Sequence, residues 1–258
     1  MKLVIKFGSG ILTNDEGTAP NPAQFTKLVD AVAALKKAGH QPIVVSSGAV
    51  GAGLMAFGME DRPSQTAQLQ ACAAVGQTRL MHLYETRFRD HDLTVAQLLL
   101  TNEDFNHDAR RQNVANTLSA LLDHNNVVPI INENDSVAVE ELKVGDNDVL
   151  SAHVAILSQA TRLVILTSVD GLIKPGTENE IVTQVDSVDD VLHFADNTIG
   201  KHSTGGMASK LQAVKIAVNA GIETLIANGH NATQLPDLIN GQGHATRFLP
   251  NANELPAS

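Results

Sequence analysis

Aromatic side chains are scarce in this sequence, at 3% of all residues, with no tryptophan and one tyrosine. The core must therefore be aliphatic, built from valine, isoleucine, leucine and alanine. The single cysteine, Cys72, excludes an intrachain disulfide, and its alanine-rich surroundings favour a small buried side chain. No apolar run approaches the roughly 18 residues of a membrane span, and glycine interrupts the first apolar segment too early for a signal peptide. We therefore expect a cytoplasmic protein with no membrane partner.

Basic residues are outnumbered: 18 Lys and Arg stand against 28 Asp and Glu, which gives a net charge of −10. No basic run or basic patch with interleaved aromatics is present, so binding to nucleic acid is not expected. Any anion site must be built locally from a few lysines and backbone N–H groups. The histidines show no metal-ligand spacing, and we assign no metal-binding side chain.

The hydrophobic pattern predicts alternating strands and helices over a chain long enough for one large α/β domain. Strands are expected at 2–7, 42–46, 95–100, 127–131, 163–166 and, as the last clear strand, 222–227. Helices are expected at 25–35, 64–90 with a break or bend near Gly76, 106–123, 147–158 and 207–220. Several strands are continuously apolar, which indicates a mostly parallel sheet with helices on both faces.

Three further segments complete the predicted organisation. Residues 132–144 alternate in polarity and predict a hairpin. The turn-rich segment from Gly171 to Gly206 predicts an insertion or a lid. The polar residues 251–258 predict a disordered tail, which leaves residues 1–250 as a single domain.

Two glycine-rich segments follow predicted strands, where ligands bind in open parallel sheets. In the first, Lys6 ends a buried strand and is followed by Gly8 and Gly10, so backbone N–H groups and a point charge are offered to an anion. An edge lysine before a turn would leave the same pattern. In the second, small residues from Ser46 to Gly53 open a helix whose N–H groups suit a carboxylate or phosphate. Close helix packing also favours such residues.

Two more segments carry charge. Acidic and amide residues cluster after strand 127–131 and again at the start of helix 147–158, more densely than helix capping requires. They suit a substrate ammonium group, the orientation of lysines and the steering of Mg²⁺. In the segment 204–210, glycines precede a helix whose first turn carries Lys210. A lysine there opposes the helix dipole, so it calls for an anionic partner.

Two lysines, glycine-rich anion sites and an acidic cluster are typical of phosphoryl transfer, in which the protein positions the reactants and neutralises charge. A carboxylate acceptor is already a competent nucleophile at neutral pH. No general base is then needed, and the sequence offers no obvious one. The residues alone do not name the acceptor.

The motifs together resemble the amino-acid kinase family, and within it the glutamate 5-kinase branch. The resemblance covers residues 2–249 and is carried by VIKFGSG at 4–10, VVSSGAVGAG at 44–53, QLQACAAVGQTRLM at 68–81, PIINENDSV at 129–137, KVGDND at 143–148 and STGGMASKLQA at 203–213. It implies a three-layer sandwich with a mainly parallel sheet of about eight strands. It also implies transfer of the γ-phosphoryl group of ATP, with Mg²⁺, to the side-chain carboxylate of L-glutamate, the first step of proline biosynthesis.

The resemblance also implies residue roles. Lys6 and Lys210 stabilise the transferring group, and Asp148 orients both lysines. Glutamate is bound by Ser47, Asp135 and Asn147, with Asn132 and Asp146 nearby. The nucleotide contacts Lys6, Gly8, Thr167, Ser168, Thr204, Gly205, Gly206, Met207, Ala208, Ser209 and Lys210. Mg²⁺ is carried mainly by the ATP phosphates.

The sequence departs from the family pattern in places. Ser46 stands where a threonine is usual, Gly10 where a serine or threonine is common, and Ser168 where an aspartate is usual, with Asp170 close by in the sequence. The chain ends without the C-terminal PUA domain of many bacterial members. The resemblance further implies a homo-oligomer, either dimer or tetramer, and L-proline as a feedback inhibitor. Two alternatives stay open: a sister kinase with another carboxylate, carbamate or phosphate acceptor, and a non-catalytic sensor of glutamate or proline.

Overall fold

Strands and helices alternate along the chain, as the hydrophobic pattern predicts. The computed structural model describes residues 1–14, 16–138, 147–178, 180–197 and 206–250. The strands are β1 (Lys2–Phe7), β2 (Gln41–Ser46), β3 (Thr94–Leu100), β4 (Val127–Glu133), β5 (Arg162–Thr167), β6 (Gln184–Val185), β7 (Glu223–Asn228) and β8 (Ala245–Phe248). The helices are α1 (Ser9–Leu12), α2 (Pro22–Lys37), α3 (Ala49–Phe57), α4 (Thr66–Arg89), α5 (Asn102–Asn106), α6 (Asp108–Leu122), α7 (Asn147–Leu157), α8 (Met207–Asn219) and α9 (Leu235–Ile239). Within these residues, 3₁₀ segments cover Val188–Asn197 and Gly229–Gln234.

All eight strands form one sheet in the order β3-β4-β2-β1-β5-β7-β8-β6. Every neighbouring pair is parallel except β7 and β8, which are antiparallel. The expected mainly parallel sheet of about eight strands is therefore confirmed. Because β1, β2, β4 and β5 run in the same direction, their carboxyl ends share one edge of the sheet, where ligands bind in such folds.

Helices cover both faces of the sheet, which gives the expected three layers. Side chains alternate between faces along each strand. Val4 of β1 packs with residues of α6, α7 and α8 in one core cluster. Leu3, Ile5 and Phe7 pack with residues of α2, α4 and α9 in the opposite cluster. By this alternation, Lys6 shares the face of Val4 and projects toward α7 and α8.

Helix α4 runs through Gly76 without interruption, so of the predicted break or bend the break is wrong. The glycine serves close packing. A Cβ atom at Gly76 would lie 1.7 Å from the carbonyl oxygen of Ala49, and one at Gly53 would lie 1.9 Å from that of Cys72. The two glycines therefore let α3 and α4 touch through their backbones. Cys72 is buried at this contact, as expected.

Two other differences concern short elements. The helix expected at 106–123 is present as α6, and the short helix α5 before it, which ends at Asn106, was not predicted. Helix α5 has its own N-terminal capping box, in which Thr101 and Asp104 bond each other's backbone N–H groups. Strand 222–227 is not the last one, because β8 follows it and pairs with β7.

Some predicted features lie partly or wholly outside the described residues. In the range of the expected hairpin, β4 extends to Glu133 and a turn follows at 135–137. The rest of that range, from 139, lies outside the described residues. In the expected insertion or lid, β6 joins the sheet edge, and Val185, Val188 and Val191 pack into the core. The tail 251–258 is also outside, so the domain limits stay a prediction. None of the helices in the described part of the chain is long and apolar enough to cross a membrane.

The contact between α3 and α4 generates a stability prediction. Gly76→Ala places a methyl group inside the contact distance of the Ala49 carbonyl, so the helices must separate. We expect a loss of about 3 kcal/mol in the free energy of unfolding, the upper end of typical overpacking costs. Urea denaturation followed by circular dichroism measures it. Gly10→Ala is the matched control, because nothing lies within 4 Å of its Cβ position, and it should be neutral or slightly stabilising. Equal midpoints for Gly76→Ala and the unchanged chain would contradict this packing.

Candidate active site

Three charged side chains from distant parts of the sequence meet at the carboxyl edge of the sheet. Lys6 is the penultimate residue of β1, Asp148 lies in the first turn of α7, and Lys210 lies in the first turns of α8. Lys6 Nζ is 2.5 Å from Asp148 Oδ1, and Lys210 Nζ is 3.1 Å from Asp148 Oδ2. One carboxylate therefore holds two lysines, one through each oxygen. Ser209 Oγ adds a hydrogen bond of 3.3 Å to Asp148 Oδ2.

The three charged groups are buried: Asp148 is 0% exposed, Lys6 4% and Lys210 6%. Burial alone would raise the pKa of Asp148, but the ammonium groups of Lys6 and Lys210 outweigh it and hold that pKa below its usual value. Asp148 is therefore ionised at neutral pH. Burial lowers the pKa of Lys210, with Asp148 opposing and Lys6 reinforcing the shift. Two ammonium groups face one carboxylate, so these three side chains together retain a positive charge that suits an anion.

The backbone around the lysines is also suited to an anion. The N-cap residue of helix α8 is Gly206, which has no side chain to bond the first N–H groups of the helix. A helix N-terminus of this kind attracts phosphate oxygens. Gly8 follows β1, and a Cβ there would lie 3.7 Å from Lys6 Nζ and 3.1 Å from the carbonyl oxygen of Leu166. The absence of a side chain at Gly8 keeps the approach to the Lys6 ammonium open.

Amide and hydroxyl groups meet beside the charged residues. Asn147 Nδ2 donates a hydrogen bond of 3.2 Å to Ser47 Oγ. The backbone N–H of Glu133, at the end of β4, donates to Asn132 Oδ1 at 2.9 Å and to Asn147 Oδ1 at 3.3 Å. Asp135 lies in the turn that follows β4. Ser47, Asn132 and Asn147, which are predicted to lie in or near the glutamate site, come from three separate segments. They are linked in one hydrogen-bonded group.

Tyr84, the single tyrosine, supports the loop that carries Ser47. Its phenol oxygen is 2.8 Å from Ser46 Oγ, and Ser46 Oγ donates to the carbonyl oxygen of Ser47 at 3.0 Å. Since the Ser46 hydroxyl has one proton, Tyr84 is the donor in the first bond. Complete burial raises the pKa of Tyr84, and the bond to Ser46 opposes that shift only in part. The phenol is therefore neutral and able to donate.

The remaining residues predicted to contact the nucleotide include both buried and exposed positions. Thr167 ends β5 and is buried, while Ser168 follows it and is exposed. Asp170, close to Ser168 in the sequence, has Oδ1 bound by Asn228 Nδ2 at 2.8 Å. The Met207 side chain packs into the core, whereas Ala208 is exposed. The predicted residues Asp146, Thr204 and Gly205 lie outside the described residues.

Comparisons with known proteins agree with this arrangement. The model of the amino acid kinase family matches residues 1–228. The chain belongs to the amino acid kinase family. The glutamate 5-kinase of Clostridium acetobutylicum is 42% identical over 254 residues, covering 96% of this chain and 94% of that protein. The glutamate 5-kinase 1 of Bacillus subtilis is 42% identical over 95% of this chain and 68% of its own length.

A solved structure is similar in fold. The carbamate kinase of Giardia lamblia, bound to AMP-PNP, has a TM-score of 0.65 to this chain at 18% identity, with coverage of 97% of this chain and 98% of the other. This likeness confirms the fold expected for an amino acid kinase. The identities with the glutamate 5-kinases confirm the narrower resemblance to that branch.

Two residues of helix α4, Gln77 and Tyr84, form hydrogen bonds to Asn132 and Ser46 that the sequence did not reveal. Gln77 accepts a hydrogen bond of 2.8 Å from Asn132 Nδ2 and is 8% exposed. Gln77 and Tyr84 lie seven residues apart, on the helix face that also carries Leu80 and Phe88. A polar amide within an apolar stripe was the signal available in the sequence. Within the described ranges, no group of three or more His, Cys, Asp or Glu side chains could hold a metal ion.

The buried carboxylate generates a pH-dependent prediction. Asp148→Asn leaves two buried ammonium groups without their counter-charge, so we expect the free energy of unfolding at pH 7 to fall by about 3 kcal/mol or more. The pKa of Asp148 is lower in the folded than in the unfolded chain. Its contribution is thus complete above the unfolded value of about 3.9 and is lost as the pH falls further toward the folded value. The difference between the two chains should shrink below about pH 4.

Urea denaturation at a series of pH values measures this difference. Asp61→Asn is the control, because Asp61 is an exposed aspartate outside the charged group, and it should leave the unfolding free energy unchanged. A difference between Asp148→Asn and the unchanged chain that stayed constant down to pH 2 would show that ionisation of Asp148 does not stabilise the fold.

Proposed function

We propose that this chain transfers the γ-phosphoryl group of ATP to the side-chain carboxylate of L-glutamate, giving glutamyl 5-phosphate and ADP. The observation that carries the proposal is the buried pairing of Lys6 and Lys210 with Asp148 at the carboxyl edge of the sheet. The relatives from C. acetobutylicum and B. subtilis, both 42% identical, are glutamate 5-kinases. The reaction is the first step of proline biosynthesis.

The lysines stabilise the charge of the transferring group. A carboxylate oxygen of glutamate attacks the γ-phosphorus, and the bond from that phosphorus to the oxygen bridging to the β-phosphate breaks, so that ADP leaves with the electron pair. Charge spreads over the equatorial oxygens during this step, and fixed cations stabilise it. Lys6 and Lys210 supply the cations, and Asp148 keeps both ammonium groups oriented without reorganisation. The attacking carboxylate is ionised at neutral pH, so no residue has to remove a proton.

The acceptor binds beside the group formed by Ser47, Asn132 and Asn147. These side chains supply hydroxyl and amide groups for a carboxylate. Asp135, with Asp146, supplies negative charge for the substrate ammonium group. An acidic pocket of this kind disfavours a phosphate monoester as acceptor, because like charges repel. The sensor alternative is disfavoured by the ion-paired placement of both lysines, which simple binding of an amino acid does not require.

ATP binds over the start of α8 and the end of β5, with contacts from Gly8, Thr167, Ser168 and the segment from Thr204 to Lys210. Mg²⁺ is carried mainly by the ATP phosphates, since a phosphate-bound Mg²⁺ keeps several waters and takes few protein ligands. Association into a dimer or tetramer, inhibition by L-proline and a cytoplasmic location stay predictions of the sequence.

An acceptor panel tests the proposed reaction. We expect ADP release from ATP and Mg²⁺ with L-glutamate, and little release with aspartate or N-acetylglutamate at the same concentration. Trapping the acyl phosphate with hydroxylamine should give the γ-hydroxamate of glutamate. Turnover with carbamate or N-acetylglutamate but not with glutamate would refute the assignment of the acceptor.

Removal of either lysine tests the mechanism. Lys6→Ala and Lys210→Ala each remove a fixed cation from the transition state, so kcat should fall at least about 100-fold. The KM for glutamate should change much less, because the lost interaction forms mainly in the transition state. Lys215→Ala is the matched control, because Lys215 lies on the helix that carries Lys210, is partly exposed and pairs with Asp189 at 2.6 Å. A lysine variant that kept the kcat of the unchanged chain would show that its ammonium group does not act in the reaction.

A further inference from the structure

Gln77 is a buried amide in the middle of helix α4. Its Oε1 accepts a hydrogen bond of 2.8 Å from Asn132 Nδ2, and its Nε2 donates one of 3.1 Å to Gln97 Oε1 on β3. The side chain thus uses its acceptor and its donor at once. It joins α4 to the two strands at the outer part of the sheet, β3 and β4.

The bond from Gln77 determines which way the Asn132 amide faces. With Nδ2 bound by Gln77, Asn132 Oδ1 faces the backbone N–H of Glu133 and accepts from it at 2.9 Å. The same N–H also reaches Asn147 Oδ1 at 3.3 Å, and Asn147 Nδ2 donates to Ser47 Oγ at 3.2 Å. A continuous hydrogen-bonded chain therefore runs from Gln77 to the hydroxyl and amide groups beside the charged residues.

The neighbouring residue keeps Gln77 in place. At Gly76, α4 comes so close to the start of α3 that an added Cβ would lie 1.7 Å from the Ala49 carbonyl oxygen. Ala49 is two residues beyond Ser47 in the sequence. The helix that carries Gln77 is therefore fixed by backbone contact to the same segment that carries Ser47. The backbone contact between Gly76 and Ala49 therefore fixes the positions of both ends of the hydrogen-bonded chain, Gln77 and Ser47.

We propose that Gln77 is a positioning residue for the acceptor, acting through the orientation of the Asn132 amide; this inference rests on the proposed function. If Gln77 Oε1 is removed, the buried Asn132 Nδ2 loses its acceptor and must rotate to bond another one, because an unsatisfied buried donor costs free energy. Rotation of that amide would remove Oδ1 from the Glu133 N–H and disturb Asn147 and Ser47. The ATP side, held by β1, β5 and α8, lies outside this chain of bonds.

Steady-state kinetics of Gln77→Met test the inference, since methionine keeps the length of the side chain and removes both hydrogen bonds. We expect the KM for glutamate to rise about tenfold, the equivalent of about 1.4 kcal/mol. The KM for ATP should stay within about twofold. Gln77→Glu keeps an oxygen opposite Asn132 Nδ2, so it should recover at least half of the lost glutamate affinity on a logarithmic scale. Gln68→Met, an exposed position on the same helix, is the control and should match the unchanged chain.

The outcomes separate this inference from the proposed function. If the unchanged chain does not phosphorylate glutamate, the proposed function fails. If it does, and Gln77→Met raises the KM values for glutamate and ATP equally, leaves both unchanged, or does not fold, Gln77 has no role specific to the acceptor and the inference is overturned. A glutamate-specific rise in KM that Gln77→Glu does not reduce would also overturn it, because the acceptor oxygen for Asn132 would then be irrelevant.

Discussion

The carboxylate of Asp148 is the point on which the site depends, because it holds two cations inside the protein. Burying charge is costly unless partners compensate it. Without this partner, Lys6 could not be buried near the end of a central strand, nor could Lys210 be buried in the opening turns of α8. The pairing also links β1, α7 and α8, three elements that the sheet and its helical layer bring to one edge. In the proposed reaction, stability and chemistry therefore share one interaction, because the substrate phosphate meets cations that are already oriented.

Much of the fold could be predicted because its signals are local. Continuous apolar runs marked the central strands, and helical periodicity marked α2, α4, α6, α7 and α8. The differences arise where the deciding contact is distant in sequence. Gly76 looks like a helix break until the Ala49 carbonyl is placed against it. Strand β8 is four residues long and contains polar residues, so its membership in the sheet depends on β7 and β6 rather than on its own pattern.

The site, like the fold, has features that the local sequence predicts and features that depend on contacts between distant residues. Lysines and glycines after apolar strands indicated an anion site, and the acidic cluster indicated residues to orient the lysines. The sequence alone does not show that Asp148, among several aspartates, is the one that both lysines reach, because the pairing depends on how α7 and α8 pack on the sheet. The resemblance to the amino-acid kinases supplied that choice. Gln77 was missed because its hydrogen bond from Asn132, 55 residues away, becomes visible only in the folded chain.

The bond between Tyr84 and Ser46 has a practical consequence. With no tryptophan and one tyrosine in the chain, the near-ultraviolet emission of the whole protein arises essentially from a single phenol. That phenol is completely buried and lies one hydrogen bond from the residue that precedes Ser47. Movement of this loop changes the environment of the only such fluorophore. The protein thus contains an unlabelled optical reporter beside the loop that carries Ser47.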